Sequence, residues 1–360
     1  MTTLFDPTRA RLKGRAAQSN PAVRFDRFVA ESVDDGWGRD DELPLVRTKV
    51  SIETPRSVIS RNTSPDLSFD RSINPYRGCE HGCIYCYARP SHAFLGLSAG
   101  LDFETNLIAR PDAPALLEQE LRNPRYVPAM IGIGTNTDPY QPIEKEHEIM
   151  RGILQVLARF NHPVGIVTKG TMIERDIDIL APMAAKGLVR VGISITTLDN
   201  KTSRAMEPRV PLPATRLRTI RRLTDAGIPV RVMVSPVVPA LTDHELEAIL
   251  TAAKAAGAVA ASSTVLRLPR EVSGLFQDWL AESFPDRAAR IMARVRELHG
   301  GRDYDPDFGT RMTGQGKWAD LMRQRVSLTT RKLGLDRRLP ALRSDLFEVP
   351  PQAGDQLSLF

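Results

Sequence analysis

This chain of 360 residues holds only three cysteines, Cys79, Cys83 and Cys86, all within one stretch of eight positions. An odd number, in a chain neither short nor visibly secreted, argues against a disulfide framework. With no fourth cysteine, the chain can build neither a closed four-thiolate zinc site nor an ordinary cubane cluster on four cysteines. No apolar run approaches the roughly 20 residues that span a bilayer, so no membrane association is expected. The start, Met1–Pro7, lacks the apolar core of a signal peptide. The cytoplasm, where thiols stay reduced, is the expected compartment.

What is present is concentrated around those cysteines, in Arg77-Gly78-Cys79-Glu80-His81-Gly82-Cys83-Ile84-Tyr85-Cys86-Tyr87. Thiolates are soft ligands that select iron–sulfur clusters, zinc or copper(I). Three of them spaced Cys-x3-Cys-x2-Cys in one tight loop suggest a four-iron cluster with one iron left open for chemistry. The alternative is a zinc site completed by His81 or His92.

The formal net charge is +6. From Arg311 to Arg343 nine cations (Arg311, Lys317, Arg323, Arg325, Arg331, Lys332, Arg337, Arg338, Arg343) face only Asp320 and Asp336, a net +7. Such a cluster is either a solvated helical face or a phosphate-contacting one, since Lys and Arg supply the sequence-independent part of nucleic-acid binding.

Along the chain, residues 1–70 read as an extension, basic at Arg9–Arg15 and acidic at Asp34–Glu42, ending in one or two strands within Val46–Ile59. Residues 71–270 alternate strand and helix. Strands are expected at 72–76, 127–135, 164–168, 188–197, 230–238 and 259–268, with helices at 146–160, 173–185, 215–226 and 243–256. Such alternation implies βαβ crossovers and a parallel sheet. Six βα units make a partial (β/α)6 barrel, whose ligands belong at the C-terminal strand ends. Residues 271–345 read as a basic helical cap and 346–360 as a flexible tail.

The cysteine spacing, with Tyr85 before the third cysteine, resembles the signature of the radical S-adenosylmethionine (SAM) superfamily. Residues 72 to about 268 further resemble its spore photoproduct lyase-like branch, also labelled "DNA repair photolyase"-like. The pieces are Asn74–Arg89, Thr137–Glu144, Thr168-Lys169, Ser194–Thr197, Glu207-Pro208-Arg209 and Arg216-Leu217. The resemblance implies a [4Fe-4S] cluster on Cys79, Cys83 and Cys86. SAM would chelate the open iron, and an external one-electron reductant would drive its cleavage to a 5′-deoxyadenosyl radical. It places Tyr85 beside the adenine and Thr137 at the methionyl end. Lys169 would face the SAM carboxylate, and Ser194 would add a hydrogen bond. One departure stands out. Where the lyase carries a hydrogen-donating cysteine, this chain has a position near Thr135, and no cysteine is left over. The lyase reaction run in the same way is therefore not expected, nor are auxiliary clusters built on cysteine. Tyr76, Tyr87 and Tyr140 are the remaining hydrogen-atom sources.

The expected function is a radical SAM enzyme acting on nucleic acid, in DNA repair or modification. The alternatives are a radical SAM enzyme modifying protein, RNA or a metabolite, and a nucleic-acid-binding redox sensor. The last residues, Gln356-Leu357-Ser358-Leu359-Phe360, follow a Pro/Gly-containing stretch and resemble the short motif by which bacterial polymerases and repair proteins hold the sliding clamp. That resemblance makes the clamp an expected partner.

Overall fold

The structure, a computed structural model, describes residues 12–25, 46–337 and 339–352. The acidic stretch Asp34–Glu42, Arg338 and the motif Gln356–Phe360 lie outside the described residues. Ten strands are present among those described. They are β1 Lys49–Ile52, β2 Ile59–Arg61, β3 Arg71–Ile73, β4 Tyr76–Arg77, β5 Asn106–Ala109, β6 Ile131–Ile133, β7 Val164–Thr168, β8 Val189–Ser194, β9 Val230–Val237 and β10 Ala260–Val265.

The Val/Ile-rich runs of β7, β8 and β9 suit strands covered on both faces. They form the centre of a seven-stranded sheet ordered β10-β9-β8-β7-β6-β3-β2. β3, β6, β7, β8, β9 and β10 run parallel, and β2 pairs antiparallel at the edge. β10 and β3 do not pair, so the barrel stays open on one side. This is the six-unit partial barrel expected. A small second sheet, β1-β5-β4, carries the chain into the cysteine loop.

Helices cover the outside. Ile149–Arg159 buries Ile149, Met150, Ile153, Leu154, Val156 and Leu157 against the sheet, the recurrence expected of an amphipathic helix. It begins later than its apolar stripe suggested, because Glu148 takes a left-handed conformation (φ 48°) that separates it from the short helix Glu144–His147. β6 is also shorter than the β-branched run around it. Pro128 offers no amide to a ladder. Gly134, at φ 88°, turns the chain where a Cβ would lie 1.9 Å from the Val167 carbonyl oxygen. That turn aims residues 135–138 across the barrel mouth.

The C-terminal helices divide between two places. Glu271–Ser283 and Pro285–Leu298 bury Phe276, Trp279, Ile291 and Val295 in a cluster with Ile84, Tyr85, Met206 and Leu268, which presses them on the cysteine loop. Gly316–Leu333 instead packs along Leu246–Ala255 and β10, on the barrel flank. Its charges are partly spoken for. Arg311 pairs with Asp66 at 2.5 Å and Arg325 with Glu247 at 2.6 Å. Arg323 meets Asp320, and Arg343 meets Asp345 at 2.5 Å. Of the nine cations, Lys317, Arg331, Lys332 and Arg337 are exposed with no ion pair among the described residues.

The expected tail begins with an anchored stretch. Glu348 N–H donates to Phe160 O (3.1 Å) and Arg122 Nη1 to Pro350 O (2.8 Å). The ring of Phe347 packs among Tyr126, Phe160 and His162. These residues precede β6 and β7, so the segment crosses the end of the barrel opposite the cysteine loop.

Candidate active site

The cysteine loop is built around a buried cation. Arg89 is fully buried and donates to Cys83 O (3.0 Å), Gly82 O (3.2 Å), Ala99 O (3.2 Å) and Gly100 O (2.9 Å). Its charge is met by Glu104, also fully buried, at 2.5 Å. Glu104 accepts in turn from the Ala16 and Ala17 amides at 3.1 and 2.9 Å. The described part of the N-terminal extension thus folds back as a brace behind the loop. Each of these carbonyls has a charged donor, and Cys83 O accepts from the Cys86 amide as well (3.2 Å), as a buried irregular segment requires.

Cys79 and Cys83 are buried and Cys86 half-buried, all free thiols. Burial, and then the charges of Asp138, Cys83 and Cys86, push the Cys79 thiol up. Burial pushes Cys83 up to about 12, against the pull of Lys169. Ligating cysteines must be thiolates, so these sulfurs call for a cationic centre to hold their charge. Three mutually repelling thiols on one loop, without a disulfide, fit a shared iron cluster. The two histidines weighed as zinc ligands are engaged elsewhere. His81 Nδ1 lies 3.3 Å from Asp138 Oδ2, and His92 Nε2 lies 2.9 Å from Asn106 O. Among the described residues, no group of three or more His, Cys, Asp and Glu stands arranged to hold a metal ion, the three cysteines included. What favours a cluster is their spacing on one loop and their mutual electrostatic influence.

Facing the loop are the ends of β6, β7 and β8. Thr137 is buried and its hydroxyl donates to Tyr76 O (3.0 Å), tying the β6 end to the entry of the loop. Asp138 accepts from Thr168 Oγ1 (2.5 Å), Lys169 N (2.7 Å) and Tyr140 N (2.9 Å), besides its contact with His81. Burial works to raise its pKa, but His81 and these donors more than reverse that and hold it at about 2. Asp138 is therefore a fixed anion joining β6, β7 and the cysteine loop.

Lys169 reaches over the ring of Tyr85, its Nζ 5.7 Å from the ring centroid. Burial disfavours its charge, yet Cys83 and Glu207 outweigh burial and raise its pKa, so it is a cation at neutral pH. The hydroxyl of Tyr85 donates to Glu207, which also accepts from Thr196 Oγ1 (2.9 Å) and pairs with Arg216 at 2.8 Å. Arg216, fully buried, donates onward to Ser194 O (2.8 Å) and Ser203 Oγ (3.3 Å). Ser194 is buried. One buried ion pair thus positions Tyr85 and Ser194 together beside Lys169.

Of the three tyrosines weighed as hydrogen sources, Tyr76 is committed to Glu144 (2.5 Å) and Tyr140 to Asp176 (3.2 Å), both deeply buried. Tyr87 is half-exposed, donates to Thr135 O, and lies under Arg267 with the guanidinium carbon 4.9 Å from its ring centroid. The sequence alone singles out neither Glu104 nor a role for Arg89. Nothing in a lone charged residue announces that it will be buried.

The family profile described as the radical SAM superfamily matches residues 73–253. An uncharacterized protein of Mycobacterium tuberculosis is 35% identical over 291 residues, which is 80% of this chain and 82% of that one. An uncharacterized protein of Methanocaldococcus jannaschii is 26% identical over 173 residues, covering 48% of this chain and 62% of that one. Among solved structures, spore photoproduct lyase complexed with dinucleoside spore photoproduct superposes with a TM-score of 0.58 at 14% identity, covering 84% of this chain and 85% of that one. A mutant of that lyase with bound AdoMet and dinucleoside spore photoproduct gives 0.56 at 14% identity, covering 79% of each. At that identity the likeness is one of fold.

Removing Glu207 alone should be costly. Glu207→Ala strands Arg216 as a buried, uncompensated charge, a loss of about 3–5 kcal/mol in urea unfolding. The double variant Glu207→Leu, Arg216→Met should recover part of that loss, because it removes the uncompensated charge while still leaving Tyr85, Thr196 and Ser194 O without these partners. A double variant no more stable than Glu207→Ala would show that the pair is not the origin of the cost.

Proposed function

The chain belongs to the radical SAM superfamily, and from that premise we propose that it is a radical SAM enzyme acting on nucleic acid, in the repair or modification of DNA. The bound [4Fe-4S] cluster and SAM supply a one-electron cleavage that delivers a 5′-deoxyadenosyl radical. The chain's own residues bind, orient and seclude. Cys79, Cys83 and Cys86 hold the cluster. Lys169, a cation at the mouth, pairs with the SAM carboxylate, a charge-assisted contact. Tyr85, locked by Glu207, lies beside the adenine. Thr137 lines the methionyl end and Ser194 adds a hydrogen bond. The observation that carries this reading is that the short loop bearing Cys79, Cys83 and Cys86 sets Tyr85 under Lys169 at one mouth of an open six-stranded barrel.

Support for DNA comes from three directions. The sequence motifs resemble the spore photoproduct lyase branch, and the similar folds include that lyase with a dinucleoside photoproduct bound. Lys317, Arg331, Lys332 and Arg337 offer exposed positive charge, and the C-terminal motif resembles a clamp-binding peptide.

The enzyme reading is tested by anaerobic reconstitution followed by dithionite and SAM. The wild type should turn brown and release 5′-deoxyadenosine. The variant with Cys79, Cys83 and Cys86 all changed to alanine should do neither. Cleavage by that variant would sink the cluster assignment, and an intact wild-type cluster without cleavage would favour a redox sensor.

DNA binding is tested on the unpaired cations. Changing Lys317, Arg331, Lys332 and Arg337 to glutamine should weaken oligonucleotide binding and lower its salt slope by about one for each phosphate that the protein ceases to neutralise. Arg323 and Arg325 are poorer choices, being already neutralised by Asp320 and Glu247. Unchanged affinity and slope would make this helix a solvated face.

The clamp is tested with a peptide covering Asp355–Phe360. Burying Leu357, Leu359 and Phe360 at about 1.5–3 kcal/mol each, less the cost of ordering the segment, gives micromolar affinity. The peptide should bind purified bacterial sliding clamp, and its Leu359→Ala, Phe360→Ala form should not. Equal binding by both peptides, or by neither, removes the clamp as a partner.

A further inference from the structure

Below the mouth the barrel encloses a cavity of about 230 Å³ that no cofactor role accounts for. Thr135 lines its upper end, and Arg190 and Arg231 line its lower end. Arg190 is the second residue of β8 and Arg231 the second of β9. In the pairing of these strands Arg231 stands opposite Gly192, so Arg190 lies two residues below on the same inward face.

Neither guanidinium meets a carboxylate among the described residues. Arg190 donates to the sulfur of Met130 at 3.1 Å, a weak acceptor. Arg231 Nε is buried and has no partner among the described residues. Burial, and then the charge of Arg231, hold Arg190 below the ordinary arginine range. Asp66, an acid lining the same cavity, is committed to Arg311 at 2.5 Å and to the Gly309 amide at 2.7 Å. Two half-buried like charges without an anion are unfavourable, and arginines held so are ordinarily completed by a carboxylate or phosphate.

We propose that Arg190 and Arg231 form an oxyanion site on the barrel floor that holds a phosphate group of the substrate, with the rest of the substrate reaching up past Thr135 to the mouth. The paired forks match the oxygens of a phosphate, and two positive charges match a dianion. The cavity is smaller than the roughly 300–1,000 Å³ of sites that enclose a whole drug-sized ligand. It therefore takes a group projecting from the substrate. A phosphate inside a strand carries chain on both sides and cannot project in this way, so the group is a terminal phosphate monoester. This inference rests on the reading of the protein as an enzyme of nucleic acid, and it narrows the substrate to a phosphorylated end or a free nucleotide.

The test uses the full-length reconstituted protein, with inorganic phosphate and the dinucleotides pTpT and TpT as probes, read by thermal shift and calorimetry. Phosphate should raise the melting temperature saturably. The dinucleotide pTpT should bind at least about tenfold more tightly than TpT, the effect of one charged hydrogen bond. Arg190→Met and Arg231→Met should each erase both effects. Without phosphate, each should be at least as stable as the wild type, because each relieves an unpaired repulsion. Wild-type protein that cleaves SAM but ignores phosphate and treats pTpT like TpT overturns the site. So does a methionine variant that loses stability while keeping the phosphate response, which makes the arginines structural. A wild type that binds phosphate but cleaves no SAM leaves the site standing and removes the enzyme reading instead.

Discussion

The geometry of the mouth depends on one buried ion pair, Arg89 with Glu104. The loop that carries the three cysteines is neither helix nor strand, so most of its carbonyls have no ladder to join. In water they would be solvated, but here helices Glu271–Ser283 and Pro285–Leu298 press against them. Arg89 answers two of those carbonyls, Gly82 O and Cys83 O, and ties them to Ala99 O and Gly100 O of a later turn. Glu104 balances its charge and draws the N-terminal extension onto the same point. The loop is therefore held from behind by charge and hydrogen bonds of the chain's own residues.

The same logic recurs at the other side of the mouth. Glu207 and Arg216 form a second fully buried pair, and its spare acceptors and donors hold Tyr85, Thr196, Ser194 and Ser203. Asp138 forms a third fixed charge between the cysteine loop and two strand ends. Buried pairs of this kind contribute little net stability, since desolvation offsets their attraction. What they provide is placement. Lys169 remains a cation because Cys83, Glu207 and Asp138 together outweigh its burial. The barrel floor is the opposite case: among the described residues Arg190 and Arg231 meet no carboxylate.

Much of this was legible in the chain as written. The spacing of Cys79, Cys83 and Cys86 and the preceding Tyr85 are local facts, and the cluster they imply needs no tertiary knowledge. The alternation of Val/Ile-rich runs with helical stripes is local too, because period 2 and period 3.6 are properties of neighbouring residues. Together they led to a parallel six-unit barrel, which the fold bears out. Boundaries shifted where a single backbone conformation intervened, as at Glu148 and Gly134.

Only the folded chain could decide which charges are shielded and what they meet. Arg311 and Asp66 are 245 positions apart, and Arg325 and Glu247 are 78 apart. The basic segment that seems strongly positive in one dimension is therefore half neutralised in three. Glu104 and Arg89 are ordinary charged residues until a core closes over them, and Arg190 and Arg231 are ordinary strand residues until the barrel turns both inward. Sequence determined the elements and the chemistry of the thiol loop, because these follow from neighbours along the chain. Tertiary structure determined the electrostatics, because the energy of a charge depends on what surrounds it in space.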